Sequence, residues 1–286
     1  MRNAKGSLIL LLTAFIWGTA FVAQSVGMDH IQPFTFNCIR NFVGAAALLP
    51  VIFVMSKINP QKETEDKRTL WIGGISCGVV LAIASTLQQI GIQYTTSGKA
   101  GFITALYIIF VPLFSLFTKK KPKPTIWISV VLAVVGMYLL CMKESLTINK
   151  GDLYIFLCAI AFTFHIMVID KFSPMVDGVK MSCIQFLTCG VICLVLTLLF
   201  DEPTVSGIKM AAIPILYTGV MSSGVAYTLQ IIGQKYTSPA LATLIMSLES
   251  VFAALAGWVI LNEVMSFSEI FGSLLMFVGI LIAQFV

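Results

Sequence analysis

Ten long apolar stretches alternate with short polar ones along the 286-residue chain. They run over 6–27, 33–55, 69–91, 97–118, 125–142, 152–169, 181–200, 210–232, 239–261 and 267–286, with ends that the pattern fixes only to within several residues. Each is continuously apolar, whereas strands of a membrane barrel alternate over about ten residues. A helix satisfies its own backbone in lipid and needs about 20 apolar residues to cross the hydrocarbon core. The pattern therefore predicts an all-α membrane protein of ten transmembrane helices. It leaves roughly 80 residues for connections and tails, too few for a separate soluble domain of normal size. The first stretch, with Arg2 and Lys5 before it and Gly18-Thr19-Ala20 within it, has the outline of a signal peptide. A partner stretch later in the chain argues for a retained span.

Composition sharpens this. The chain is 58% hydrophobic and 11% charged, with a mean hydropathy of +0.96, against about 25% charged residues in a soluble domain. A cytosolic enzyme, a nucleic-acid binder and a disordered chain are excluded, and lipid is the expected solvent. The net charge of +5 is then a statement about loops. With the N-terminus inside, the inner side holds Arg2, Lys5, Lys57, Lys62, Lys67, Arg68, Lys119, Lys120, Lys121, Lys123, Lys171, Lys180 and Lys235. The outer side holds Lys99, Lys143, Lys150 and Lys209. The positive-inside rule places both termini in the cytoplasm of a multi-pass protein of the cell membrane. The basic run at 119–124 also suits anionic lipid headgroups. The seven cysteines (Cys38, Cys77, Cys141, Cys158, Cys183, Cys189 and Cys193) form no CxxC and no Cys/His cluster. They read as small apolar packing residues, and no metal or cofactor is expected.

The chain is internally duplicated. Residues 84–106 and 226–248 agree at 11 of 23 positions, at an offset of 142. Gly6-Ser7-Leu8 faces Gly151-Asp152-Leu153 and Cys38-Ile39 faces Cys183-Ile184 at 145, and Val135-Gly136 faces Val278-Gly279 at 143. The repeats divide the chain into 1–143 and 144–286, five spans each. Five is odd, so the second half enters the membrane from the opposite side, and two inverted five-helix repeats should enclose a central cavity. Two such halves can pack in two ways of similar free energy, one open to each side, which is the arrangement that secondary transporters use.

Polar residues at membrane depth are the candidate site. Glu249 lies mid-span and is the repeat mate of Tyr107. An acid at that depth costs about 2.5–3.5 kcal/mol on insertion scales. It is placed either to carry a proton, to meet a cationic group of a substrate, or to fix helix packing through a Ser or Tyr. Gln88 and Gln230 are repeat mates, as are Thr86 and Thr228, with Gln89 and Tyr227 beside them. These amides and hydroxyls fit substrate contacts from both halves, or interhelical hydrogen bonds worth about 0.6–2 kcal/mol. His165, Trp17 and Arg40 carry the same two readings. Arg40, the mate of Gln185, is long enough to snorkel. Gly74 with Gly78, and Gly272 with Gly279, mark close helix contacts within a monomer or across a weak homodimer.

These residues resemble the EamA branch of the drug/metabolite transporter superfamily along essentially the whole chain. The first unit carries Trp17-Gly18, Arg40, Tyr94-Thr95 and Val111-Pro112. The second carries Tyr236-Thr237-Ser238-Pro239-Ala240, Leu248-Glu249-Ser250-Val251-Phe252-Ala253-Ala254, Gly257-Trp258, Leu261-Asn262-Glu263, Gly272 and Gly279. Each motif is weak alone, and their order, spacing and duplication make the match. Two departures stand out: Glu249-Ser250 replaces the prolines often found in span nine, and Thr163 stands where the first unit has Gly18. The resemblance implies a ten-helix basket that moves small metabolites, often amino acids or related amphipathic compounds, usually outward. On that analogy Trp17, Gln88, Tyr107, His165, Tyr227, Gln230 and Glu249 line the cavity. The family shares no single substrate motif, so no substrate transfers with the name.

The alternatives are an intramembrane enzyme and a membrane receptor or scaffold. The sequence contains no HExxH, no paired-aspartate metal motif and only two histidines, His30 and His165. It has no Walker A motif either, so a proton or substrate gradient is the expected energy source, with protons and the metabolite itself as the expected partners.

Overall fold

The computed structural model describes residues 2–58, 66–95, 97–117, 122–140, 149–261 and 266–284. Cys141, Glu263 and Lys119–Lys121 of the basic run lie outside the described residues, as does most of the polar segment at 57–68. Among the described residues there are helices and turns and no strand. The first half contains α1 (Arg2–Met28), α2 (Pro33–Ile58), α3 (Lys67–Ile92), α4 (Ser97–Thr104), α5 (Tyr107–Ser115) and α6 (Pro124–Leu140). The second contains α7 (Lys150–Phe172), α8 (Gly178–Phe200), α9 (Val205–Met210), α10 (Ala212–Leu216), a π-helical segment (Tyr217–Tyr227), α11 (Thr228–Gln234), α12 (Pro239–Met246), α13 (Glu249–Leu261) and α14 (Phe267–Gln284).

Each of the ten apolar stretches is helical over most of its described residues. Among the described residues seven helical segments are long and apolar enough to cross a membrane, and Lys99–Ser115, Pro124–Leu139 and Phe267–Ala283 are shorter apolar helices. The outer surface is correspondingly greasy: Leu198, Ile213 and Phe267 are 75%, 80% and 83% exposed. Water would not tolerate such a continuous apolar face, and lipid does. The protein is a multi-pass membrane protein. The six described cysteines are buried and free.

Helix starts follow the polar punctuation of the sequence. Asp66 caps α3 by accepting from the Arg68 and Thr69 N–H groups, and the hydrogen bond from the Thr69 hydroxyl, with that from the Arg68 N–H, holds its carboxyl below the usual range. Asn149 and Asp152 form a reciprocal capping box at α7. Asp177 caps α8, and Ser238 caps α12 with Pro239 in its first turn.

Two helical regions are interrupted at matching places. Ala105-Leu106 separates α4 from α5, and Ser247-Leu248 separates α12 from α13, 142 positions later. Two tightened hydrogen bonds recur at both breaks. Leu106 N–H donates to Ile103 O and Ile108 N–H to Ala105 O (3.2 and 3.0 Å); Leu248 N–H donates to Ile245 O and Ser250 N–H to Ser247 O (3.2 and 3.1 Å). Each break is a tightened turn that starts a new half-helix, with Tyr107 first in α5 and Glu249 first in α13.

Packing between the halves is reciprocal as well. A Cβ added at Gly136 of α6 would stand 2.5 Å from Gly272 O, and one added at Gly279 of α14 would stand 2.9 Å from Ser129 O. Gly136 and Gly279 are 143 apart, as are Ser129 and Gly272, so each helix presents the same positions to the other. Likewise a Cβ on Gly78 would meet Gln185 O at 2.7 Å and the Thr188 side chain, whereas one on Gly219 would meet Arg40 O at 3.0 Å and the Val43 side chain. Residues 40 and 43 correspond to 185 and 188 at the offset of 145. Gly74 and Gly78 thus serve the contact of α3 with α8 inside the monomer.

The stretch at 210–232 departs from the single α-helix its hydropathy predicts, because Tyr217–Tyr227 winds as π-helix. The reason lies in the register. By its contacts Gly219 corresponds to Gly78, 141 positions earlier, while from Ala226 onward the correspondence is at 142 (Ala84). The second half therefore carries one additional residue between 219 and 226. A π-turn absorbs a single insertion without shifting the packing faces on either side.

Candidate functional site

Fourteen side chains from both halves line one internal cavity: Trp17, Phe21 and Gln24 of α1, Arg40 of α2, Gln88 of α3, Thr104 of α4, Tyr107 of α5, Phe162 and Ile166 of α7, Ser222 and Tyr227 of the π segment, Gln230 of α11, Met246 of α12 and Glu249 of α13. Six of the seven residues singled out from the sequence stand here together. His165 does not line it. It is fully buried behind the wall, with Nε2 3.1 Å from Gln185 Oε1 and its ring edge-on to that of Tyr227 at 5.8 Å.

The two helix breaks meet at the cavity. The Tyr107 hydroxyl donates to Glu249 Oε1 at 2.8 Å, joining the first residues of α5 and α13. Glu249 is 3% exposed. Its position in the first turn of α13 puts the carboxyl at the positive end of that half-helix dipole. Gly18 lets α1 approach this point, because a Cβ there would stand 2.7 Å from Glu249 O. At the corresponding Thr163, the hydroxyl turns back to Ala159 O at 2.9 Å.

The other walls are polar and only partly paired. Gln88 Nε2 donates to Thr104 Oγ1 at 3.2 Å. Arg40 Nη1 donates to Gln24 Oε1 at 2.9 Å, and Gln89 Nε2 reaches Gln24 O at 3.4 Å. Trp17 packs edge-on to Tyr227, with ring centroids 4.7 Å apart. Trp17 Nε1, Arg40 Nε and Gln230 Oε1 are buried with no hydrogen-bond partner among the described residues. Unpaired donors and acceptors of this kind are costly in a packed interior and are what a bound solute would satisfy.

The cavity is small. Its volume is about 30 Å³ counted over positions that the centre of a water molecule can occupy, room for about two waters.

Gln24 and Arg40 join Gln88, Gln230 and Glu249 among the strongly polar lining groups. Gln24 sits among apolar residues near the end of its span, and no local motif marks it. Arg40 is visible in the sequence, but whether its side chain turns to lipid, headgroup or cavity depends on where α1 packs. Ser222 reaches the cavity from the π segment. Among the described residues no cluster of three or more His, Cys, Asp or Glu could hold a metal ion.

A model of the EamA-like transporter family matches residues 4–142 and again 149–285. An uncharacterized transporter of Archaeoglobus fulgidus is 29% identical over 289 residues, covering 99% of this chain and 87% of its own. The uncharacterized transporter YoaV of Bacillus subtilis is 25% identical, over 98% and 97% of the two chains. A solved crystal structure superposes with a TM-score of 0.80 at 17% identity, covering 99% of this chain and 97% of the other. At that identity the likeness speaks for the fold alone.

Proposed function

Because the chain belongs to the EamA-like transporter family, we propose that it is a secondary transporter that exports small metabolites, such as amino acids or related amphipathic compounds, across the cell membrane by alternating access. The transporter class follows from the family.

One observation carries it: the helix breaks at 105–106 and 247–248 occupy the same register in the two halves and meet through Tyr107 and Glu249 at the cavity. Discontinuous helices at corresponding positions of two repeats are where secondary transporters hold their substrates. Two equivalent residues that touch each other lie on the axis that relates them. The reciprocal contacts of Gly136 and Gly279, and of Gly78 and Gly219, support the same pseudo-two-fold relation. On this reading residues 1–143 and 144–286 are inverted five-helix units, both termini are cytoplasmic, and rocking one unit against the other opens the cavity to each side in turn. Trp17, Gln88, Tyr107, Tyr227, Gln230 and Glu249 then contact the solute, and His165 steadies Tyr227 from behind. Glu249 is the candidate proton carrier.

The test is flux of labelled small organic solutes into and out of liposomes that contain the purified protein and no ATP. Movement of a metabolite down its own or a proton gradient is expected. Turnover of a solute without net flux would point to the intramembrane enzyme instead. Cysteine labelling at positions 94 and 236 should report opposite faces of the bilayer, and labelling on one face removes the inverted arrangement.

A further inference from the structure

Arg40 is the least compensated charge in the described interior. It is 3% exposed on a helix deep in the protein. Its guanidinium makes one hydrogen bond, to the neutral amide oxygen of Gln24, and lies 5.7 Å from the centre of the Phe36 ring. Its Nε is unpartnered. Among the described residues it forms no ion pair with a carboxylate. The acid of the same cavity, Glu249, accepts from Tyr107.

A buried charge without a counter-charge is strongly destabilising. An ionisable group at membrane depth normally pairs with another group or serves a transport path. A guanidinium presents a planar fork of donors that fits carboxylate and phosphate oxygens bidentately. Gln24 Oε1, held from Arg40 Nη1, fixes the plane of that fork. Trp17 Nε1, a further unpartnered donor, lines the same cavity. The position equivalent to Arg40 is Gln185, which is bonded to His165 outside the lining. The cationic pole thus belongs to the first half alone, and it breaks the symmetry that the Tyr107–Glu249 contact keeps.

We infer that Arg40, oriented by Gln24, is the recognition site for a compact oxyanion group, carboxylate or phosphate, on the transported solute. This assignment rests on the transporter reading above and adds the requirement that the solute carry an anionic head. The bound anion supplies the missing counter-charge, so binding itself stabilises the protein.

The test is thermal unfolding of the purified full chain with matched probes: L-leucine, its deaminated acid isocaproate, its decarboxylated amine isoamylamine, isoamyl alcohol and orthophosphate. The probes that carry an oxyanion should raise the melting temperature, and those without one should not. Isocaproate against orthophosphate distinguishes the two anion types. Arg40→Gln should weaken anion binding at least about tenfold and Arg40→Lys by less, since lysine keeps the charge and loses the fork. Should Arg40→Gln fail to fold, Gln24→Glu decides. A carboxylate placed there pairs with Arg40 from within, so the variant should melt at or above the wild-type temperature and lose anion binding. Equal binding of the acid, amine and alcohol, no shift with either oxyanion, or unaltered anion binding in Gln24→Glu overturns the assignment. Liposome flux separates the two levels. Flux of isoamylamine with no anion binding removes the Arg40 site and leaves a transporter, whereas anion binding with no flux of any probe keeps the site and removes the transport reading.

Discussion

Tyr107 and Glu249 are 142 positions apart in the chain and 2.8 Å apart in space. They occupy the same register in two duplicated segments, each the first residue after a helix break. The duplication has diverged here into a donor and an acceptor, so the two halves now hold each other at the cavity by unlike groups.

That contact should be measurable as a coupling. Tyr107→Phe removes the described hydrogen-bond donor of a buried carboxyl and should cost about 1.5–3 kcal/mol in thermal or denaturant unfolding. Glu249→Gln keeps an acceptor oxygen and should cost less. The double variant should lose less than the sum, by about 1 kcal/mol or more. Strict additivity would mean that the pair does not interact in solution.

Proton involvement is a separate question and has a separate readout. Glu249→Gln cannot titrate, so the pH profile of flux between about pH 5 and 8 should flatten in that variant. If wild type and variant follow the same profile, Glu249 has a packing role and the coupling ion binds elsewhere.

The π segment predicts that a deletion will be tolerated. Removing Met221, a partly exposed residue within it, takes out the one additional residue that the second half carries between 219 and 226. The helix should close to regular α geometry with a change in stability of about 1 kcal/mol or less, because its ends keep their packing. Ser222 and Tyr227 would turn relative to each other at the cavity. Flux should fall far more than stability. A protein that unfolds outright on this deletion would show that the π-turn has its own packing role.

Lys99 and Asp152 form an ion pair at 2.6 Å between α4 and α7, with side chains 15% and 7% exposed. Asp152 also accepts from Thr95 Oγ1 at 3.0 Å. The equivalent positions are Leu241 and Ser7, so the same ion pair cannot form between α12 and α1. Lys99→Met should lower stability by about 1–2 kcal/mol. It should also raise the reactivity of a cysteine placed at Thr104 toward a membrane-impermeant thiol reagent added outside. Unchanged labelling would make the pair a static brace.

Gly136 and Gly279 should behave as a matched set. Alanine at either brings a Cβ within 2.5–2.9 Å of a backbone oxygen across the α6–α14 contact, which should cost about 1–3 kcal/mol at each position. The comparison to make is the two melting temperatures. A large loss at one and none at the other would argue against reciprocal packing.

The sequence by itself determined the elements and the duplication. Lipid demands that a spanning segment satisfy its own backbone, so hydropathy located the long apolar helices but not the short α9 at Val205–Met210, and the 84–106 and 226–248 identity marked the repeat. It also marked which side chains are polar at depth. It did not separate their roles, because a lipid-facing position is as apolar as a core position and the binary pattern carries little record of which face of a helix points inward. Gln24 and Arg40 reached the cavity, while His165 turned away to Gln185, only once α1, α2, α7 and α8 had packed. The inserted residue behind the π segment was hidden for a related reason. Sequence identity is lost before Ala226, and only the matching backbone contacts of Gly78 and Gly219 show where the register slips.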